Sequence, residues 1–158
     1  MSRSGYSDDN EGVALWRGMV ASATRGKRGQ AFFKALLEAL DAMPEKRLIA
    51  GQLEEHGEVC TIGALGRHRG IDMSQMDPED PSTVAPAFNI AECLAQEVVH
   101  MNDEYAQRIY VEVPGPPRNA WERHHQIGHD ITPEERWQKM RKWVLEQIRP
   151  VGKDGHRD

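Results

Sequence analysis

Two cysteines in 158 residues are too few for a disulfide framework. Cys60 and Cys93 both sit among apolar neighbours, where a buried thiol is the common outcome. Aromatic residues make up only 6% of the chain. No apolar run approaches the ~18 residues that a membrane helix requires, because charges interrupt every hydrophobic stretch. Residues 1–10 are polar and partly acidic and lack the apolar stretch of a secretory signal, so a cytoplasmic protein without a membrane partner is expected. Basic charge is not in excess either. The formal net charge is −5, which disfavours a protein that gains its affinity from phosphates and is too small for a convincing DNA mimic. Phosphate-loop, dinucleotide and zinc-protease signatures are lacking as well, and no cofactor is expected.

What is present is the composition of a folded domain, 39% hydrophobic and 28% charged. The length suits a single domain able to bury roughly two thirds of its unfolded surface without metal or disulfide. Residues 11–150 are expected to form that domain, with 1–10 and 151–158 as flexible ends. The patterning predicts an α+β protein, predominantly α-helical, with about five helices around one core and one or two short β-hairpins.

A first helix is expected over 12–24, with Leu15 and Met19 inward and Trp16 and Val20 as further inward candidates. The run from Arg25 to Gly29 then punctuates the chain. A second helix over 30–42 places Phe33, Leu36, Leu37 and Leu40 on one face, and Pro44 stops it. Residues 48–53 read as a strand entering a turn, and Cys60 to Arg69 as a short helix ended by Gly70, with a returning strand as the alternative. Two prolines and four acidic residues over 72–81 mark a surface loop. Ser82 or Thr83 then caps a short helix, broken at Asn89. A stronger helix follows over 91–101, with Leu94, Ala95, Val98 and Met101 inward. Ile109, Val111 and Val113 alternate with polar or amphipathic residues, which predicts a strand or hairpin arm. Thr132, Pro133 and Glu135 carry the marks of a capping box. They open a last helix striped by Trp137, Met140, Val144 and Ile148, with Trp143 on its flank.

Four constellations carry possible chemistry. Ala85, Asn89, Ala95 and Val98 have helix-turn-helix spacing, which would make a nucleic-acid-binding regulator. The second helix, however, presents Glu92, Gln96, Glu97 and His100, and carboxylates do not suit a face turned to phosphates. The commoner reading is a packed helical corner. His125 and His129 would share a face of a helix and are candidate zinc ligands, although no third ligand is near and an exposed polar loop is the commoner outcome. Cys60 opens a helix, where a thiol gains thiolate character. His100, Asn102 and Asp103 supply the residue types that a cysteine-dependent hydrolase or transferase needs. The commoner reading makes Cys60, Ile62 and Leu65 core, with Gly63 permitting close packing. Finally, Arg25, Lys27 and Arg28 form one basic cluster and Arg67, His68 and Arg69 another, each suited to a phosphate or an acidic protein surface and most often simply solvated.

Three stretches resemble a loose group of small bacteriophage and prophage proteins. The first runs from Arg25-Gly26-Lys27-Arg28-Gly29-Gln30 to Leu40-Asp41-Ala42-Met43-Pro44-Glu45-Lys46-Arg47-Leu48-Ile49. The second is Val59-Cys60-Thr61-Ile62-Gly63-Ala64-Leu65-Gly66, where the group typically has Cys-Ala-Leu-Gly-Ala and this chain has Cys60-Thr61-Ile62-Gly63-Ala64. The third is Met101-Asn102-Asp103-Glu104, followed by Thr132-Pro133-Glu134-Glu135-Arg136-Trp137 and Met140-Arg141-Lys142-Trp143-Val144. The resemblance spans roughly residues 13 to 149, and the stretch from 105 to 131 looks like its variable part. It brings no activity to carry over. It implies an accessory protein of a phage or prophage, working in the host cytoplasm by binding a host macromolecule, with inhibition of a bacterial defence system as one form of that action. Such proteins are more often binders than enzymes. The expected partner is a host protein or protein complex, with nucleic acid disfavoured. The expected contact surface combines the Arg25, Lys27 and Arg28 loop with Tyr105, Tyr110, Arg118, Trp121 and Arg123, residue types that suit protein interfaces.

Overall fold

A computed structural model describes residues 3–5, 12–112, 115 and 126–150. Its helices are α1 (Val13–Arg25), α2 (Lys27–Ala42), α3 (Thr61–Arg69), α4 (Pro81–Ala87), α5 (Glu92–Asp103) and α6 (Pro133–Gln147). Two small antiparallel sheets accompany them, β1 (Glu54–Glu55) with β2 (Glu58–Val59), and β3 (Arg108–Glu112) with β4 (Gln126–Asp130). The protein is therefore α+β and mostly helical, with six helices among the described residues where the sequence suggested about five.

Helix α2 is the apolar spine. Phe32, Phe33, Leu36 and Leu40 are essentially fully buried, and α1, α3 and α6 pack on it. The helix begins at Lys27 rather than at residue 30 because only Gly26 leaves the helical conformation. Gly29 then lies so close to the end of α1 that a β-carbon there would fall on the carbonyl oxygen of Ala23. Trp143 of α6 meets Phe33 edge-to-face at 5.5 Å between ring centroids, and Trp137 donates its indole N–H to the Leu40 carbonyl. Helix α6 opens with the expected capping box: Thr132 accepts from the Glu135 backbone N–H and Glu135 accepts from that of Thr132.

Helix α5 is the second centre, packed on by α1, α3, α4 and α6. Cys93, Leu94, Ala95, Val98 and Val99 are buried along it, and so are Glu97 and Asn102. Helix α4 is capped by Asp80, one step before Pro81, and not by Ser82 or Thr83. It ends where Asn89 takes a left-handed conformation, φ 55°, a geometry asparagine tolerates well.

Of the four inward candidates on α1, the structure turns Val20 and Trp16 inward and leaves Leu15 and Met19 outside. Val20 is buried and Trp16 and Ala23 are half-buried, whereas Leu15 and Met19 are 72% and 51% exposed. Apolar residues at 15, 16, 19 and 20 define two overlapping stripes, and polar partners on α5 select between them. Arg17 Nη1 reaches Glu97 Oε1 at 2.9 Å, and Trp16 Nε1 reaches Gln96. Residues 3–5 also differ from the expectation of a frayed end: Arg3 and Ser4 are buried, held by side chains at the end of α5.

The segment between α2 and α3 explains why Cys60 begins a helix. Residues 49 and 53 zip onto 59 and 60, Ile49 N to Val59 O and Cys60 N to Leu53 O. Between them the chain reverses through β1 and β2 by a tight turn, with His56 and Gly57 at positive φ. Gly63 brings the first turn of α3 against this segment, since a β-carbon there would coincide with the Leu53 carbonyl oxygen. Gly70 closes α3 in the left-handed conformation.

Candidate functional site

Cys60, Asn102 and Asp103, far apart in sequence, come together at the meeting of α3 and α5. Cys60 is the N-cap of α3, and its Sγ accepts from the Gly63 backbone N–H at 3.4 Å. Asn102 Oδ1 accepts from the next residue, both from Thr61 N at 3.2 Å and from Thr61 Oγ1 at 2.7 Å. Its amide nitrogen donates to the Ile49 carbonyl and to Asp103 Oδ1. One asparagine thus ties α5 to α3 and to the strand-like segment before it, with its carbonyl and amide both bonded. Asn102 and Thr61 are almost fully enclosed, and in such a place each bond counts, because an unmade one leaves a desolvated polar atom.

Asp103 completes the cluster. The backbone N–H of Gly51 donates to its Oδ2 at 3.1 Å. The Arg3 guanidinium grips both oxygens, Nε to Oδ2 at 2.8 Å and Nη2 to Oδ1 at 3.0 Å. Arg3 Nη1 lies 3.9 Å from Cys60 Sγ. Burial opposes the charge on Arg3, but the electrostatic pull of Cys60 and Asp103 and the bonds to them outweigh it, so the guanidinium is held firmly charged. Arg3 carries no local signal, and its polar segment reads as a frayed end in the sequence. No pattern at the first residues of the chain signals a side chain that docks 100 positions away.

The Cys60 thiol is 1% exposed. A nucleophile must meet its substrate, and in this conformation Arg3 and the core cover it. Cys93 is buried too, and desolvation pushes its thiol pKa up. His100 engages a different neighbour: its Nδ1 lies 2.7 Å from Glu104 Oε2, which also accepts from Ser4 Oγ. The structure thus gathers Cys60, Asn102 and Asp103 into one cluster, while His100 Nδ1 is engaged by Glu104.

The end of α5 is also held from α6. Arg136 donates to the carbonyls of Asn102 and Leu48 and to Gln107 Oε1. Lys139 Nζ donates to the carbonyls of Met101 and Tyr105, each at 2.6 Å. The Met101 and Asn102 carbonyls lie in the last turn of α5, where a helix leaves its carbonyls without intrahelical donors, and Lys139, Arg136 and Gln107 bond them from outside. The position is costly for Lys139: desolvation, and then the nearby charge of Arg136, bring its pKa down to about 8.

From this anchored base the β3–β4 hairpin departs. Its register pairs Arg108 with Asp130, Ile109 with His129, Tyr110 with Gly128, Val111 with Ile127 and Glu112 with Gln126. Alternation puts Ile109, Val111, Ile127 and His129 on one face. On the other, the Tyr110 ring and the Arg108 side chain lie over Gly128, where a β-carbon would collide with both. Tyr110, Val111 and Ile127 are 59%, 53% and 63% exposed, and Tyr105 at the base is exposed as well. His129 sits on a strand, so helical spacing with His125 does not apply to it. Its Nε2 lies 2.8 Å from Glu135 Oε1, and that contact, followed by the Thr132 backbone N–H, lowers the Glu135 pKa. Among the described residues no group of three His, Cys, Asp or Glu side chains is placed to hold a metal ion. Arg118, Trp121, Arg123 and His125 lie outside the described residues.

The basic cluster falls at the corner between α1 and α2, with Arg25 ending one helix and Lys27 and Arg28 opening the next. All three are exposed, and Arg28 Nη1 lies 3.4 Å from Asn89 Oδ1. The helix-turn-helix spacing corresponds to a real corner, since Ala85, Ala95 and Val98 are buried where α4 meets α5. Its second helix is nevertheless enclosed by four others, and Glu97, expected to face solvent, is buried. An enclosed helix cannot enter a DNA groove, which removes the geometric support for reading nucleic acid with α5.

No family model, no curated protein and no solved structure was found to match the chain. Among the described residues no helix is long and apolar enough to cross a membrane.

Proposed function

We propose that this chain is a protein-binding module that uses the β3–β4 hairpin as its contact arm and acts without catalysis of its own. One observation carries the reading. Val111 and Ile127, directly paired across the strands, are both more than half exposed, with Tyr110 on the opposite face. A two-stranded ribbon is marginal in water without a face to pack on, and an aliphatic pair beside aromatic and arginine side chains matches the centre of a protein interface. Tyr105 extends the surface to the hairpin base. The basic corner at Arg25, Lys27 and Arg28 offers a second, electrostatic contact.

The resemblance to bacteriophage and prophage proteins adds the context. The partner on this reading is a protein of the bacterial host, and the action is to occupy or block it, with a defence component as one such target. A cysteine-dependent hydrolase or transferase is the second reading, favoured by the gathering of Cys60, Asn102 and Asp103. It requires a conformation in which the Cys60 thiol is open.

The test is capture from bacterial lysate by the tagged full-length protein, treated with nuclease and read by mass spectrometry, beside the variant Val111→Asp/Ile127→Asp. A host protein retained by the wild type and lost from the variant is the expected result, with Tm within about 3 °C because the replaced side chains are exposed. Equal capture by both proteins sinks the hairpin as contact arm. A collapse of Tm shows instead that the two residues belong to the fold.

A further inference from the structure

The Arg3–Asp103 pair is built unlike a chance surface contact. Both oxygens of the carboxylate are held by the domain as well as by Arg3: Asn102 Nδ2 donates to Oδ1 at 2.7 Å and Gly51 N to Oδ2 at 3.1 Å. Asn102 is in turn fixed by Thr61 and Ile49. The Arg3 side chain then adds two parallel N–H bonds, the geometry that a planar guanidinium makes and an ammonium cannot. Its third nitrogen points at Cys60 Sγ, and Ser4 follows with a hydroxyl bond of 2.7 Å to Glu104 Oε2. The side chains of Arg3 and Asp103 are only 4% and 10% exposed. A receptor fixed in advance loses little freedom on filling, which favours specific binding.

Residues 3–5 bring few apolar atoms to this place. Arg3 and Ser4 are both polar and Gly5 has no side chain, so polar contacts to the ends of α3 and α5 hold the segment. Segments held this way open more readily than a packed core.

We propose that Asp103, oriented by Asn102 and Gly51, is a preformed guanidinium-binding site for an arginine-serine peptide, which the chain's own Arg3 and Ser4 occupy in cis as an exchangeable strap over Cys60. The ligand class is an arginine-bearing peptide in extended form. A serine after the arginine gains the Glu104 contact. The strap and a peptide from another molecule compete for the same carboxylate, and Cys60 is covered whenever either is bound. The inference stands apart from the hairpin reading, because the two surfaces share no residue.

The experiment uses the full-length chain carrying Arg3→Ala. The rate of iodoacetamide modification at Cys60 and at Cys93 is read residue by residue by mass spectrometry, alone and with the peptide acetyl-Ser-Arg-Ser-Gly-amide. The same peptide with lysine in place of arginine is the control. Loss of two charge-assisted bonds should speed modification of Cys60 by at least about tenfold and leave Cys93 unchanged. The arginine peptide should slow Cys60 again in a saturable way, and the lysine peptide should not. Unchanged Cys60 reactivity in Arg3→Ala overturns the strap. A parallel rise at Cys93 shows general loosening and overturns it too. Equal effects of the two peptides, or none, overturn the guanidinium site. Should Arg3→Ala not fold, Arg3→Lys keeps the charge without the paired geometry and is read by the same comparison.

Discussion

Arg17 on α1 and Glu97 on α5 form an ion pair of 2.9 Å in which the carboxylate side chain is 7% exposed while the arginine remains 44% exposed. Among the described residues Glu97 Oε2 has no hydrogen-bond partner. The pair is therefore lopsided, with a buried anion that depends on a partly hydrated cation. Removing the cation is worse than never having buried the anion.

Arg17→Ala should accordingly destabilise the fold by about 1–3 kcal/mol. In a Glu97→Gln background the same substitution should cost under about 1 kcal/mol, because no charge is left stranded. Urea unfolding of the four proteins measures the coupling, and equal costs in both backgrounds would show that the pair carries no weight.

Lys139 links stability to alkaline pH. Its pKa in the fold is about 8, against the ordinary lysine value of 10.5. Between those values the unfolded chain holds more protons than the folded one, so stability from this group rises as pH increases from 8 toward 10.5. Since the side chain is only partly buried, solvent screens part of the effect and the gain is roughly 1–2 kcal/mol. It should appear as the difference between wild type and Lys139→Met across urea titrations at pH 7, 8, 9 and 10. A constant difference over that range contradicts it.

Two glycines in helices should respond oppositely to alanine. At Gly63 the new methyl group meets the Leu53 carbonyl, and backbone cannot step aside cheaply, so Gly63→Ala should cost about 3 kcal/mol or more. At Gly18, inside α1, a methyl group meets nothing within 4 Å. Gly18→Ala should stabilise by ~0.5–1 kcal/mol through helix propensity alone. Thermal melts of both variants decide it, and a neutral Gly63→Ala would mean that α3 can move off that segment.

The elements most legible in the sequence were those marked by local chemistry. Thr132, Pro133 and Glu135 announced α6, Gly70 announced the end of α3, and alternation at Ile109 and Val111 announced β3. In each case the determining contacts lie within a few residues. Gly63 was also legible as a site of close packing. What escaped depended on contacts distant in sequence. The inward face of α1 is chosen by Gln96 and Glu97, some 80 residues away, whereas periodicity alone put Leu15 and Met19 ahead of Trp16 and Val20. Cys60, Asn102 and Asp103 were legible as residue types, yet only the meeting of α3 and α5 makes them neighbours. Arg3, which completes that cluster, carried no local mark at all.

The dependence of α2 on α6 has a consequence during synthesis. Phe33 and Leu40 lie beneath α6, and Met140 and Val144 are fully buried there. The spine of the core is thus translated by residue 42 and its cover only by residue 147. At roughly 5–20 residues per second, the intervening 105 residues take about 5–20 s to emerge. For that interval the face of α2 that α6 later covers stays open, a stretch that a chaperone on the ribosome would shelter.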